Sequence, residues 1–198
     1  MKQDFYEAVK KRRSYYGISK DEVVTRERIT EIVNYAVTNA PSAFNSQSGR
    51  VILAFGEEHD KLWNFTKDTL RKLVPPNMFP DTEAKLNAFQ SGYGTVLFFE
   101  EQETVKALQS KFALYKDNFP IWSLESSGML QYIIWTSLEI EGLGASLQHY
   151  NPIIDEQVKK QFNVPESWKL LAQMPFGKPI APPQDKTFIA LEERVKIF

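Results

Sequence analysis

A chain of 198 residues is long enough for one domain with a substantial core, and its 24 Lys and Arg nearly balance 25 Asp and Glu. No net field therefore draws it to nucleic-acid phosphates or to an anionic membrane surface, and any anion site must come from a local cluster. With no cysteine and two histidines, His59 and His149, disulfides, thiolate nucleophiles and iron–sulfur clusters are excluded and a metal site is hard to assemble.

The first residues, Met1 to Gly17, contain no apolar stretch of the kind that directs secretion, and a cytoplasmic protein is expected. Asp4 and Glu7 have the spacing of a capping box and predict a helix through about Arg12. A linker from Tyr15 to Glu22 leads to a second helix. There Ile29, Ile32, Val33, Ala36 and Val37 form an amphipathic stripe that Pro41 ends. A polar loop, Ser42 to Gly49, precedes a buried strand at Val51–Phe55. Leu62, Phe65, Leu70 and Leu73 then mark a third helix stopped by Pro75 and Pro76. Residues 77–93 have too little periodicity to assign, and Val96–Phe99 reads as a second strand.

From Leu124 to Glu141 the chain is apolar on almost every face, which predicts a helix buried all round, in a core or between subunits. The most apolar stretch, Met129 to Leu147, is interrupted by Glu139 and Glu141 and falls short of the roughly 20 continuous apolar residues of a membrane span. Gly142 is placed to stop the helix. Strands are expected at Ala145–His149 and Lys169–Met174, with a short helix at Asp155–Phe162 between them. The stretch Pro182–Phe198 has little that would pack on its own, so it frays or lies on a partner. Alternating helices and strands without repeats suggest one α/β or α+β layered domain over residues 1–198.

Three segments carry candidate chemistry. Lys10-Lys11-Arg12-Arg13-Ser14 is either a solvated helix terminus, where cations meet the dipole, or a phosphate clamp of guanidinium and hydroxyl groups. Pro41-Ser42-Ala43-Phe44-Asn45-Ser46-Gln47 is either an ordinary connection or a loop whose two amides can pair with the N–H and C=O groups of an isoalloxazine edge. Gly142-Leu143-Gly144-Ala145-Ser146-Leu147-Gln148-His149-Tyr150 is either a close-packed turn or a backbone that steadies negative charge near a flavin N5. His149 reads equally as a structural histidine or a flavin neighbour. The aromatic content, 13%, serves a large-residue core or a planar ligand, and composition does not choose between them.

Taken in order, Arg12-Arg13-Ser14, the Pro41–Gln47 loop, the apolar helix running into Gly142-Leu143-Gly144-Ala145, and the late Pro175-Phe176-Gly177 resemble the nitroreductase family of flavoproteins over nearly the whole chain. Tyr16, Asn45–Ser48, Leu147–Pro152 and Met174–Pro179 are more similar to its short fatty-acid-response (Frm2-like) branch. The resemblance implies an α+β nitroreductase-like sandwich. That fold has a mixed β-sheet flanked by helices, a long buried helix and a C-terminal tail embracing the partner subunit. It implies a homodimer with FMN at the interface. Electrons would pass by ping-pong hydride transfer from NADH or NADPH to nitroaromatics, quinones, free flavins or similar electron-poor acceptors. A flavin-binding regulatory or lipid-responsive protein with weak turnover is the alternative on the same scaffold.

By position, the resemblance assigns Arg12, Arg13 and Ser14 to the phosphate, ribityl chain and pyrimidine edge. Tyr16 stands where many relatives carry a second base. Pro41, Ser42, Asn45 and Gln47 match the loop that reaches the flavin from the partner. Leu147, Gln148 and His149 match the N5 side, and Lys186, with Lys178 as second candidate, matches a C-terminal phosphate base. No catalytic acid, nucleophile or metal ligand is implied, since the flavin carries the chemistry.

Overall fold

Asp4 opens the first helix as the spacing predicts. Its carboxylate accepts from the Glu7 backbone N–H at 2.9 Å, and α1 runs Phe5–Lys11. In the computed structural model, which describes residues 4–198, the following linker contains a two-residue strand, β1 (Ile18–Ser19). Thr25 caps α2 (Arg26–Asn39), and Ile29, Ile32, Val33 and Ala36 are buried. Val37, the fifth member of the stripe, is 42% exposed on the flank of that face. Strand β2 (Gly49–Phe55) and α3 (Glu57–Leu73) follow.

The unassigned residues form α4 (Phe79–Gln90), whose buried positions are Phe79, Leu86 and Phe89. Three contacts in twelve residues give no readable period. Strand β3 (Gly94–Glu101) leads directly into α5 (Gln102–Lys111), which buries Val105 alone and was equally silent in the sequence. The long helix α6 (Phe119–Ile140) begins five residues ahead of Leu124, with Pro120 in its first turn where a missing N–H costs nothing. Two-residue β4 (Gly144–Ala145), α7 (Asp155–Phe162) and β5 (Trp168–Pro179) complete the order.

The sheet runs β1-β5-β3-β2, with β4 paired to β5, and all its ladders are antiparallel. The parallel component of the expected mixed sheet is a single bridge, Ser14 to Ala145. Strand β3 is buried from Gly94 to Glu100 because helices cover both of its faces. Val96 and Phe98 join a core with Ile29, Ile134 and Leu138 of α2 and α6, while Leu97 and Phe99 join Leu62, Trp63 and Leu86 of α3 and α4. Beyond β4, the expected strand at Ala145–His149 contributes only the bridge Gln148–Gln173.

Helix α6 is buried by its own chain on one side. Leu130, Ile134 and Leu138 face the core, but Ile121, Leu124, Met129 and Tyr132 form an exposed apolar stripe at helical spacing. The tail from Pro182 is also nearly all exposed, including Phe188, Ile189, Leu191, Ile197 and Phe198. The sequence pattern reports the total apolar surface of the helix, and one chain covers only half of it.

On the far side of the sheet lies a buried polar relay. The Trp63 indole N–H donates to Thr95 Oγ1 at 3.0 Å, and His59 Nδ1 lies 2.9 Å from that hydroxyl. His59 Nε2 is 3.1 Å from the Gln90 carbonyl, which can only accept. Nε2 therefore carries the proton, and Thr95 donates to Nδ1. Burial lowers the His59 pKa from its ordinary 6.5 to about 4, with the Gln90 bond and Asp60 opposing and Lys20 assisting. The unfolded chain thus takes up a proton near pH 6.5 that the folded chain refuses until about pH 4. Stability is unaffected above that window and falls through it as pH drops, by roughly 2 kcal/mol at pH 5. His59→Gln should flatten the urea midpoint between pH 7 and pH 5. An unchanged pH slope in that variant would remove His59 as its source.

Candidate functional site

The basic cluster divides between its two readings. Lys10 and Lys11 are exposed in the last turn of α1, where they meet the dipole, whereas Arg12 and Arg13 are half-buried. The chain then runs beside β4: Ser14 bridges Ala145, and the Tyr15 N–H donates to the Ala145 carbonyl at 3.0 Å. The close approach depends on Gly144, since a Cβ there would lie 2.8 Å from Tyr15 Cγ. Gly142, at φ +82°, ends α6 as predicted. Its N–H reaches the Glu139 carbonyl, and the Leu143 N–H reaches that of Leu138. The two glycines of the Gly142–Ala145 motif thus serve different needs, one a left-handed turn and one a contact.

Past β4 the chain alternates against β5. Gln148 exchanges both backbone hydrogen bonds with Gln173, at 2.7 and 2.9 Å, and its amide donates to Ser146 Oγ at 3.1 Å. Gln148 is consequently turned inward and occupied. Leu147 and His149 face the other way, and their backbone N–H groups have no partner among the described residues. The backbone of this segment, with the side chains of Leu147 and His149, is what it offers to a ligand.

Arg12 lies against α6. Its guanidinium carbon stands 4.3 Å from the centroid of the Trp135 ring and 5.8 Å from that of Tyr132, and its Nε is buried without a hydrogen-bond partner. Buried donors are almost always satisfied, so an orphaned one is a candidate for an acceptor that is not part of the chain. Arg13 donates to the Gln184 carbonyl and so brings the tail to the cluster, with exposed Lys186 two residues on. Lys178, at the same end of β5 as β4, is instead engaged by Asp21 at 3.1 Å, which leaves Lys186 the better placed of the two. Tyr16 does not join the group; its ring packs on Phe89 of α4, with Lys85 Nζ 6.0 Å away. Next to the cluster, burial raises the pKa of Glu139, opposed by Lys11 and Arg12.

The Pro41–Gln47 loop forms a second group. Ser42 Oγ accepts from the Gln47 N–H at 3.0 Å, closing the loop, and Arg50 donates to the Gln47 carbonyl at 2.7 Å. Phe44, Asn45 and Gln47 all have positive φ, a strained conformation for side chains of this size. The compensation is visible at Phe44. Its ring lies 4.8 Å from Phe112, 5.3 Å from Phe119 and 6.1 Å from Trp122, nearly parallel to the last. The amides of Asn45 and Gln47 are exposed and unoccupied among the described residues. A cavity of about 500 Å³ opens at the first half of the loop, walled by Pro41, Ser42, Phe44, Trp122 and Met129. Gln47 and Ser42 also border a second cavity of about 370 Å³ behind the loop.

The two groups meet different parts of α6, Arg12 at Tyr132 and Trp135 and the loop at Trp122–Met129. Met129, beside the loop, and Tyr132, beside Arg12, are about one turn apart on that helix. The aromatic wall escaped the sequence reading, although Phe112, Tyr115, Phe119 and Trp122 recur every three or four residues and could have signalled it. Among the described residues no group of three His, Asp or Glu side chains is placed to hold a metal ion. No helix among them is long and apolar enough to cross a membrane.

Comparison with known proteins gives a consistent answer. The Nitroreductase family model matches residues 9–178. HBN1 and nitroreductase FRM2 of Saccharomyces cerevisiae are 35% and 31% identical to the chain, each covering 94% of it and 93% of their own length. The solved structure of nitroreductase CinD from Lactococcus lactis in complex with chloramphenicol superposes with a TM-score of 0.91. It is 42% identical and covers 98% of this chain and all of that one.

Proposed function

The chain belongs to the nitroreductase family, in its Frm2-like branch, and we propose that it binds FMN as a homodimer and transfers electrons from NADH or NADPH to electron-poor aromatic acceptors. All 198 residues act in this reading as a single domain. The observations that carry it are the orphaned Arg12 Nε and, on the segment that continues from the Ala145 bridged by Ser14, the N–H groups of Leu147 and His149 without partners among the described residues. A cation and outward-facing backbone donors suit an anionic, acceptor-rich ligand, and flavin mononucleotide is one.

Bound there, FMN supplies a ring that accepts and returns hydride at N5. Arg12, Arg13, Ser14 and the tail's Lys186 hold the phosphate, ribityl and pyrimidine side. The Leu147–His149 backbone donates toward the N5 side, where negative charge develops, with Gln148 fixing that backbone to β5. Pro41, Ser42, Asn45 and Gln47 of a second copy close the site, as the family resemblance implies. The Phe44 and Trp122 wall then takes planar acceptors, nitroaromatics and quinones among them, after the nicotinamide has left. CinD, whose solved complexes include chloramphenicol and 4-nitrophenol, supports this substrate class. Tyr16 keeps only a peripheral part. The absence of cysteine suits work in the cytoplasm.

Anaerobic addition of NADH or NADPH to the yellow protein should bleach the flavin absorbance, and a nitroaromatic or quinone should restore it in a second, separable step. A flavin-loaded protein that neither nucleotide reduces would overturn the enzymatic reading and leave a flavin-binding regulator.

A further inference from the structure

Arg12 is held by a ring rather than by an acid. Among the described residues its guanidinium forms no salt bridge. It lies over Trp135, flanked by Tyr132, and the Trp135 ring is itself packed against the core of α6 and the sheet. The difference matters chemically. A carboxylate would occupy two of the five N–H donors and place a negative charge where an anion must dock. A π face attracts the cation through its quadrupole and leaves every donor edge free. The unsatisfied Nε is the visible result.

We propose that Trp135 is a positioning residue for the cofactor, fixing the plane of the Arg12 guanidinium so that its donors meet the FMN already oriented. This rests on the assignment of Arg12 as an FMN contact. Fixing the plane in advance removes an ordering cost that binding would otherwise bear. Glu139, one turn farther along α6, stays outside pairing distance of Arg12 and leaves that geometry undisturbed.

The test is a double-mutant cycle on the full-length protein stripped of flavin, with FMN dissociation constants read from quenching of flavin fluorescence. Trp135→Leu should weaken FMN about 10-fold, and Trp135→Phe, which keeps a π face, should recover most of that loss. In an Arg12→Ala background Trp135→Leu should add nothing further. Wild-type affinity in Trp135→Leu, or the same loss with and without Arg12, would overturn the proposal, the second outcome showing a merely structural ring. Full affinity in Arg12→Ala alone would overturn the Arg12 assignment beneath it, a separate and recognisable failure. Should Trp135→Leu not fold, Trp135→Phe against Trp135→Met carries the comparison, with equal affinities for the two counting against the role of the ring.

Discussion

On the proposed reading, Arg12→Ala should elute as a dimer but lose its yellow colour on gel filtration. A hydrogen bond to a charged group is worth about 1.5–3 kcal/mol, which corresponds to roughly a 10- to 150-fold weaker FMN complex. The upper part of that range is expected here because the guanidinium is partly withdrawn from water and its Nε has no other partner. The fold should tolerate the change. Arg12 follows the last turn of α1 and makes no hydrogen bond that holds two elements together, and its stacking on Trp135 lies at the surface of the core. Arg12→Lys should recover little, since an ammonium lacks the planar fork. Undiminished flavin content in Arg12→Ala, measured by absorbance against protein concentration, would remove the clamp.

Deleting residues 182–198 should do more, converting the dimer to monomer and emptying the cofactor site together. The tail side chains have nothing of their own chain to bury against: Phe188 is 77% exposed, Leu191 68% and Ile197 94%. Each large apolar side chain that a partner buries contributes about 1.5–3 kcal/mol before the cost of ordering the segment. Even a minority of that sum surviving raises the dimer dissociation constant by at least about 100-fold. The same deletion removes the Gln184 carbonyl that Arg13 binds, and Lys186 with it. Sedimentation equilibrium at micromolar concentration separates the outcomes. A truncated chain that stays dimeric and keeps its flavin would show the tail to be an ornament of the surface.

Legibility in the sequence followed how much each element buries and how local its reasons are. Helix α2 could be read because four of its residues enter the core at regular spacing, and the ends of α1 and α6 because Asp4 and Gly142 act within a few residues. Helices α4 and α5 could not, since Val105 alone, or Phe79, Leu86 and Phe89, leave no period to detect. Strand β1 owes its existence to β5, 160 residues away, and no local pattern announces that. At the site, the ordered motifs led to Arg12, Ser14 and the Pro41–Gln47 loop. They did not show that Gln148 turns inward or that Tyr16 leaves for α4, since both facts depend on which side of a strand-like segment meets β5. Trp135 was visible only as one apolar residue among many in a helix. Its place beneath a cation is a property of the fold.

The uncovered stripe on α6 has a consequence for how the molecule comes into being. Everything that protects the faces of β3 is tethered to it by the chain and arrives at a rate that synthesis cannot change. In the proposed homodimer, what protects Ile121, Leu124, Met129 and Tyr132 arrives by collision. That share of the stability therefore depends on how many copies are present, and a chain made sparsely spends longer with its stickiest surface open to the wrong neighbours.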